Sequence, residues 1–198
     1  MDKNYYLQLR NKYLPDELRY IFVLESPPVS GKYFYDEAGK TSEPLFTEMM
    51  RLIGCRPRSK RSGLKHFRQA GYFLVDATYQ PVNNLKGKKR DEIIMEDFSS
   101  LVDDLRNIDD TQSIPIILVK ANVCKLLEVP LKEEGFNVIN DGVVIPFPST
   151  GQQKRFHREI GRIHNAEIAC NNSRLIKYLV LLGVVVLVIG LFVYFRSY

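Results

Sequence analysis

The chain has 198 residues, of which 45% are hydrophobic and 26% charged, with a formal net charge of +5. Its three cysteines (Cys55, Cys124 and Cys170) are scattered, with no CxxC and no Cys/His cluster, which argues against a disulfide scaffold or a zinc site. About 170 residues precede a long apolar run near the C-terminus, a comfortable size for one α/β domain.

Residues 1–19 are rich in Tyr, Leu and charge. Tyr5, Tyr6, Leu9 and Tyr13 have rough helical spacing, which predicts a short amphipathic helix ended by Pro15. Ile21, Phe22, Val23 and Leu24 form a short apolar run with β-branched and aromatic members, the mark of a buried strand. The run breaks sharply. Glu25 and Ser26 are polar, Pro27 and Pro28 stop a strand, Ser30-Gly31 allow a tight turn, and Phe34, Tyr35 and Asp36 follow. Ligands in α/β proteins bind just past the carboxyl ends of strands. A strand that ends in a carboxylate, a rigid diproline and two rings is suited to hold something flat and polar. The plain alternative is a strand exit in which the prolines only stop the sheet.

Residues 44–54 predict a helix. Pro44 suits its first turn, Leu45, Met49, Leu52 and Ile53 make an apolar face, and Gly54 stops it. From Arg51 to Arg68 there are seven Lys or Arg and no acid, with further basic clusters at Lys86–Arg90 and at Lys154, Arg155, Arg158 and Arg162. Such patches attract nucleic acid or anionic lipid headgroups; any one of them can also be a merely solvated face. Residues 71–78 predict a second buried strand, ending in Asp76 and running into TYQPVNNLKGKKR. Residues 91–108 predict one helix with Asp91 as N-cap and Ile94, Phe98, Leu101, Val102 and Leu105 on one face. A third strand is expected over 114–119 and a short helix over 121–128. Residues 142–147 end a fourth strand, which runs into PFPSTGQQ and a basic helix from about 153 to 169. Strands separated by helices imply an α/β fold, a three-layer sandwich with a mostly parallel four-stranded sheet. Its strand ends ESPP, VDATYQP and PFPSTGQQ then lie along one edge.

Residues 178–195, YLVLLGVVVLVIGLFVYF, are uncharged and bracketed by Lys177 and Arg196. Their length and their terminal aromatics predict a single transmembrane helix. The expected organisation is therefore a domain over 1–170, a basic juxtamembrane linker over 171–177 and the span itself. Arg174 and Lys177 outnumber Arg196, which places the domain on the cytoplasmic side.

In this order the segments resemble the uracil-DNA glycosylase superfamily, over about residues 20 to 160. Leu24-Glu25-Ser26-Pro27-Pro28 stands where the iron-sulfur branch has GEAPG and the best-known branch GQDPYH. Gly31-Lys32-Tyr33-Phe34-Tyr35 is similar to the GRPFVG segment, whose aromatic stacks on the flipped base. Asp76-Ala77-Thr78-Tyr79-Gln80-Pro81 is similar to NVVKCRPP, whose leading Asn reads the base edge. Ile117-Leu118-Val119-Lys120-Ala121 falls on LLGKxA, and Phe147-Pro148-Ser149 on HPS. The chain departs from the pattern at four positions: Leu24 for Gly, Ser26 for the catalytic Asp, Asp76 for Asn and Phe147 for His. Four cluster-ligating cysteines are absent, so the resemblance implies no iron-sulfur cluster, and no cofactor or metal is expected.

The resemblance implies a protein that hydrolyses the N-glycosidic bond of a base flipped out of DNA, and the predicted span makes it membrane-anchored. Glu25 would position the attacking water, beside Ser26, which can hold a water or phosphate but is no base unaided. Phe34 would stack on the base. Asp76 and Phe147 would meet it at the remaining base-binding positions. Ser149, Thr150, Gly151, Lys154 and Arg155 would hold the nucleic-acid backbone at the start of the basic helix. An ionised Asp76 only accepts hydrogen bonds, so the base need not be uracil; a protonated one mimics Asn. Phe147 removes a donor for the departing base. The alternative is a catalytically degraded module that binds nucleic acid or a nucleotide beside a membrane, and a third reading has the basic patches meeting only lipid headgroups.

Overall fold

The computed structural model describes residues 2–149 and 151–167. The chain divides into a compact unit, Met1–Ile160, and a second, Gly161–Tyr198, of which 161–167 are described. The fold is α/β, with a three-stranded parallel sheet flanked by helices. Its elements are α1 (Lys3–Asn11), β1 (Tyr20–Leu24), α2 (Pro44–Leu52), α3 (Lys60–Gln69), β2 (Tyr72–Asp76), α4 (Gly87–Glu96), α5 (Phe98–Ile108), β3 (Ile116–Leu118) and α6 (Ala121–Glu133). A further helix covers 153–167.

The strand order is β2-β1-β3. The register pairs Tyr20 with Tyr72 and Leu24 with Asp76 on one side of β1, and Ile21 with Ile116 on the other. A central parallel strand covered on both faces must be apolar throughout. Ile21, Phe22, Val23 and Leu24 meet that demand and are all buried. The register also sets Glu25 and Asp76 beside each other at one sheet edge, because β1 and β2 end in step. Two backbone bonds carry the pairing past the strands, Ala77 N–H to Leu24 O at 2.7 Å and Thr78 N–H to Glu25 O at 3.2 Å.

The expected fourth strand is not formed. The stretch over 142–147 makes one isolated parallel bridge, Ile145 to Val119. On the outer edge of β3, Ile116 makes a second isolated bridge, to Val138, and the side chain of Asn140 takes up Leu118. Its Oδ1 accepts from Leu118 N–H at 2.7 Å, and its Nδ2 donates to Leu118 O and Val143 O, each at 3.0 Å. Beyond Ile145, Pro146 and Pro148 have no N–H to extend a ladder.

Two helical expectations also change, and one helix appears where none was expected. The basic stretch 55–68 contains a helix, α3, whose Ser59 and Ser62 form a reciprocal cap. The single helix expected over 91–108 is two helices broken at Asp97, and the N-cap residue of the first is Lys86, not Asp91. The break frees the Asp97 carboxylate to accept from Thr78 Oγ1 at 2.5 Å and Gln80 Nε2 at 3.2 Å, which fastens the loop after β2. Helix α6 runs on through Pro130 to Glu133, beyond the expected end at 128.

The predicted span over 178–195, the linker over 171–177, Cys170 and Thr150 lie outside the described residues. Among the described residues no helix is long and apolar enough to cross a membrane.

Candidate functional site

The carboxyl ends of the strands open onto a cavity of about 450 Å³. Glu25 and Ser26 after β1, Asp76 at the end of β2, and Phe147 and Ser149 after the Ile145 bridge all line it, together with Phe34 and Lys120. Three segments far apart in sequence thus meet at one place. Ser26 Oγ accepts from Val82 N–H at 3.2 Å, and Asn83 Oδ1 accepts from Val29 N–H at 2.9 Å. Those two bonds stitch the diproline loop to the loop after β2.

The wall is aromatic. Phe34 is buried, edge-on to Tyr35 at 5.0 Å and to Phe67 at 5.1 Å between ring centroids, with Phe46 at 5.7 Å. Its segment is held from behind by Lys60, whose side chain is fully buried. Lys60 Nζ donates to Tyr33 O at 2.7 Å and to Glu43 Oε2 at 2.9 Å. A buried ammonium is tolerable only when paired in this way.

Glu25 is buried and sits among donors. Its Oε2 bonds Lys120 Nζ, its Oε1 accepts from Asn122 Nδ2 at 2.7 Å, and Arg90 Nε lies 3.3 Å from Oε1. Lys120, two residues past β3 and the N-cap of α6, has a φ of 90°, which a residue with a side chain rarely adopts. That conformation, followed at once by α6, turns the lysine toward Glu25.

Asp76 is in a different state. It is 4% exposed, and its Oδ2 has no hydrogen-bond partner among the described residues. Burial pushes its carboxyl up to about 7, against the pull of Arg10 and of the Tyr33 hydroxyl. Arg10 is itself buried and committed elsewhere, to Asp104 at 2.5 and 2.8 Å and to the Tyr79 hydroxyl at 2.6 Å.

Sequence reasoning singled out Glu25, Ser26, Phe34, Asp76, Phe147 and Ser149, and these six share the cavity. Gly151, Lys154 and Arg155 do not line it and are exposed on the protein surface. Tyr33, Lys120, Asn122 and Arg90 escaped notice as site residues. For Lys120 a signal existed, since a charged residue directly after an apolar strand follows the same logic that picked out Glu25 and Asp76. For Arg90 and Asn122 none did, because their meeting at Glu25 is set by tertiary packing.

The cavity can enclose a planar polar ring between aromatic walls. It offers a buried carboxyl raised to about 7 by burial, and a buried carboxylate that is ion-paired. Among the described residues no group of His, Cys, Asp or Glu is placed to hold a metal ion. Fold and cavity together define an α/β protein with its candidate site at the carboxyl edge of a short parallel sheet. In comparisons with protein-family models, curated proteins and solved structures, nothing matches the chain.

Proposed function

We propose that the cavity receives a base flipped out of DNA and that the protein is a uracil-DNA glycosylase-like hydrolase of the N-glycosidic bond. In this reading the fold is a reduced form of that family's four-stranded sandwich, with the Ile145 bridge standing where a fourth strand would pair. The observation that carries the proposal is the convergence of the segments after β1, after β2 and after Ile145 on one aromatic cavity. A carboxylate has about four lone-pair sites. Asn122, Lys120 and Arg90 leave Glu25 room to orient one water toward an oxocarbenium-like sugar. Phe34 supplies a stacking face worth about 1–3 kcal/mol per base. Ser149 and Gly151, with Thr150 between them, and then Lys154 and Arg155, hold phosphates at the start of the last helix.

A second reading is favoured by two particular observations. Both oxygens of Glu25 are already engaged by cations or amide, and Phe147 brings no donor to the departing base. A binding module without turnover would need neither group. In both readings residues 178–195 anchor the protein, with its domain on the cytoplasmic side.

The experiment is base release from oligonucleotides carrying uracil, hypoxanthine or other altered bases, using the full chain in detergent and Glu25→Ala beside it. Release by the parent that falls about a hundredfold or more in the variant supports the hydrolase. Base-dependent binding with no release supports the module. Release that Glu25→Ala leaves untouched removes Glu25 from the mechanism.

A further inference from the structure

Lys120 is held in a way that a plain strand exit does not require. Its backbone has φ 90° and ψ 135°, a conformation that costs a residue with a side chain and that clusters at functional sites. Val119 N–H donates to Val23 O at 2.9 Å and Lys120 N–H to Ile145 O at 2.8 Å, so the segments on either side impose it. The result is a primary amine at the carboxyl edge of the sheet. It lines the cavity, and 30% of its side chain is still exposed. Its Nζ bonds Glu25 Oε2, and Glu25 is fixed in turn by Asn122 and Arg90. Because Arg90 stands 3.3 Å from Glu25 Oε1, the carboxylate keeps a cation beside it when Lys120 is drawn into chemistry. Lys32 is the other lysine of the cavity. It is exposed, and among the described residues its amine makes no bond.

Hydrolysis of an N-glycosidic bond leaves a baseless deoxyribose, whose ring opens to an aldehyde at C1′. A primary amine held beside an aldehyde condenses with it, and lysine is the side chain that does this in proteins. Holding the amine in place beforehand removes most of the entropic cost of that step.

We infer that Lys120 captures the baseless sugar as an imine, so that the cavity holds its own product covalently and reversibly. The inference rests on the base-pocket reading above and extends it from the base to the sugar left behind. Lys120 Nζ bonds to C1′, and the double bond from C1′ to oxygen breaks. That oxygen leaves as water with two of the three ammonium protons. The third proton stays on the iminium nitrogen, and nothing is oxidised or reduced. The positive charge that starts on Nζ also ends there. Glu25 therefore pairs with the iminium as it pairs with the ammonium, and it relays protons from nitrogen to the departing oxygen. Water reverses the step and frees the lysine.

The test is reductive trapping with the full chain in detergent at neutral pH. A fluorescent single strand carries a baseless site prepared beforehand with mild acid, so the protein need not release a base. A control strand carries the tetrahydrofuran analogue, which has no aldehyde. Sodium cyanoborohydride reduces an iminium to a stable secondary amine. Denaturing gels measure the adduct, and peptide mass mapping locates it. The expected adduct forms with the aldehyde strand alone and maps to Lys120. Its yield falls about tenfold or more in Lys120→Arg and stays within about twofold of the parent in Lys32→Arg. Glu25→Gln, which neither pairs with the iminium nor relays its protons, slows trapping about tenfold or more. Arg keeps a cation beside Glu25, an unchanged melting temperature separates loss of the amine from loss of the fold, and mapping in the parent decides the site without any variant. An adduct that survives Lys120→Arg, that maps to Lys32 or to surface lysines such as Lys89 and Lys154, or that never forms from a strand the protein binds, overturns the imine and leaves the pocket reading standing. If fluorescence anisotropy shows that neither the baseless strand nor a uracil strand binds, both fall.

Discussion

Asp76 is a residue whose burial works against folding as pH rises. Its carboxyl sits at about 7 because burial disfavours the charge. A carboxyl raised from its usual 3.8 keeps its proton in the folded state at pH values where the unfolded chain has already lost it. The folded state is therefore favoured at low pH. It loses stability as pH rises from about 4 through 7, and above that the whole charging cost is present. Three units at about 1.4 kcal/mol each set that cost at roughly 4 kcal/mol. Asn in the same place never ionises. Asp76→Asn should raise stability over the parent by about 2–3 kcal/mol more at pH 8 than at pH 5, as read by urea unfolding. A stability gap that stays constant across that range would show Asp76 to be solvated or paired in solution. Its place was legible in the sequence as a carboxylate that closes an apolar strand. Its protonation state was not, because that depends first on its burial in the folded chain and then on Arg10 being shared with Asp104, a residue 94 positions from Arg10.

Among the elements, α3 shows most clearly what the sequence concealed. KRSGLKHFRQ carries few apolar residues and a glycine, so its basic character dominated the reading as a patch for polyanions. Folded, its Lys60 is buried, Arg61 pairs with Glu37, and Arg68 pairs with Asp16. Gly63 lets α3 approach α2 closely. A Cβ there would lie 2.5 Å from Phe46 Cζ and 2.9 Å from both Met50 Sδ and Pro57 Cγ. Helix propensity alone would make Gly63→Ala stabilising by about 1 kcal/mol. Overpacking typically costs about 1–3 kcal/mol, so the crowding wins. Gly63→Ala should lower the melting temperature, and a rise would mean that α2 and α3 can part without loss. By contrast β1, β2 and α2 were legible, because an apolar run closed by proline or a carboxylate, and a proline-started helix closed by Gly54, need no tertiary information. The α4/α5 break and the missing fourth strand were not. They are set by Asp97 bonding Thr78 and by Asn140 taking up Leu118 at the edge of β3, contacts between segments that local pattern cannot pair.

At the scale of the whole molecule, the net charge of +5 is less free than it looks in the sequence. Four of the seven basic residues over 51–68 are paired, Arg51 with Glu48 in addition to the three pairs of α3, while Arg56, Arg58 and Lys65 stay exposed. In the second cluster Lys88 leans on Glu92 and Arg90 turns inward to Glu25. Lys154 and Arg155 remain exposed, at the start of the helix that follows Phe147 and Ser149 of the cavity. In the base-pocket reading proposed above, that position would make them the cations that hold phosphates beside a base entering the cavity. Each phosphate contact on single-stranded DNA contributes about −0.7 to the slope of log affinity against log salt. Lys154→Ala with Arg155→Ala should therefore flatten that slope by about 1–1.5. The loss of affinity should be the same for uracil, cytosine and baseless strands, because phosphates carry no base information. Anisotropy over a salt series, with the full chain in uncharged nanodiscs, measures both quantities at once. An unchanged slope would move the phosphate track away from this helix. A loss confined to uracil strands would place the two cations inside the base site and not on the backbone.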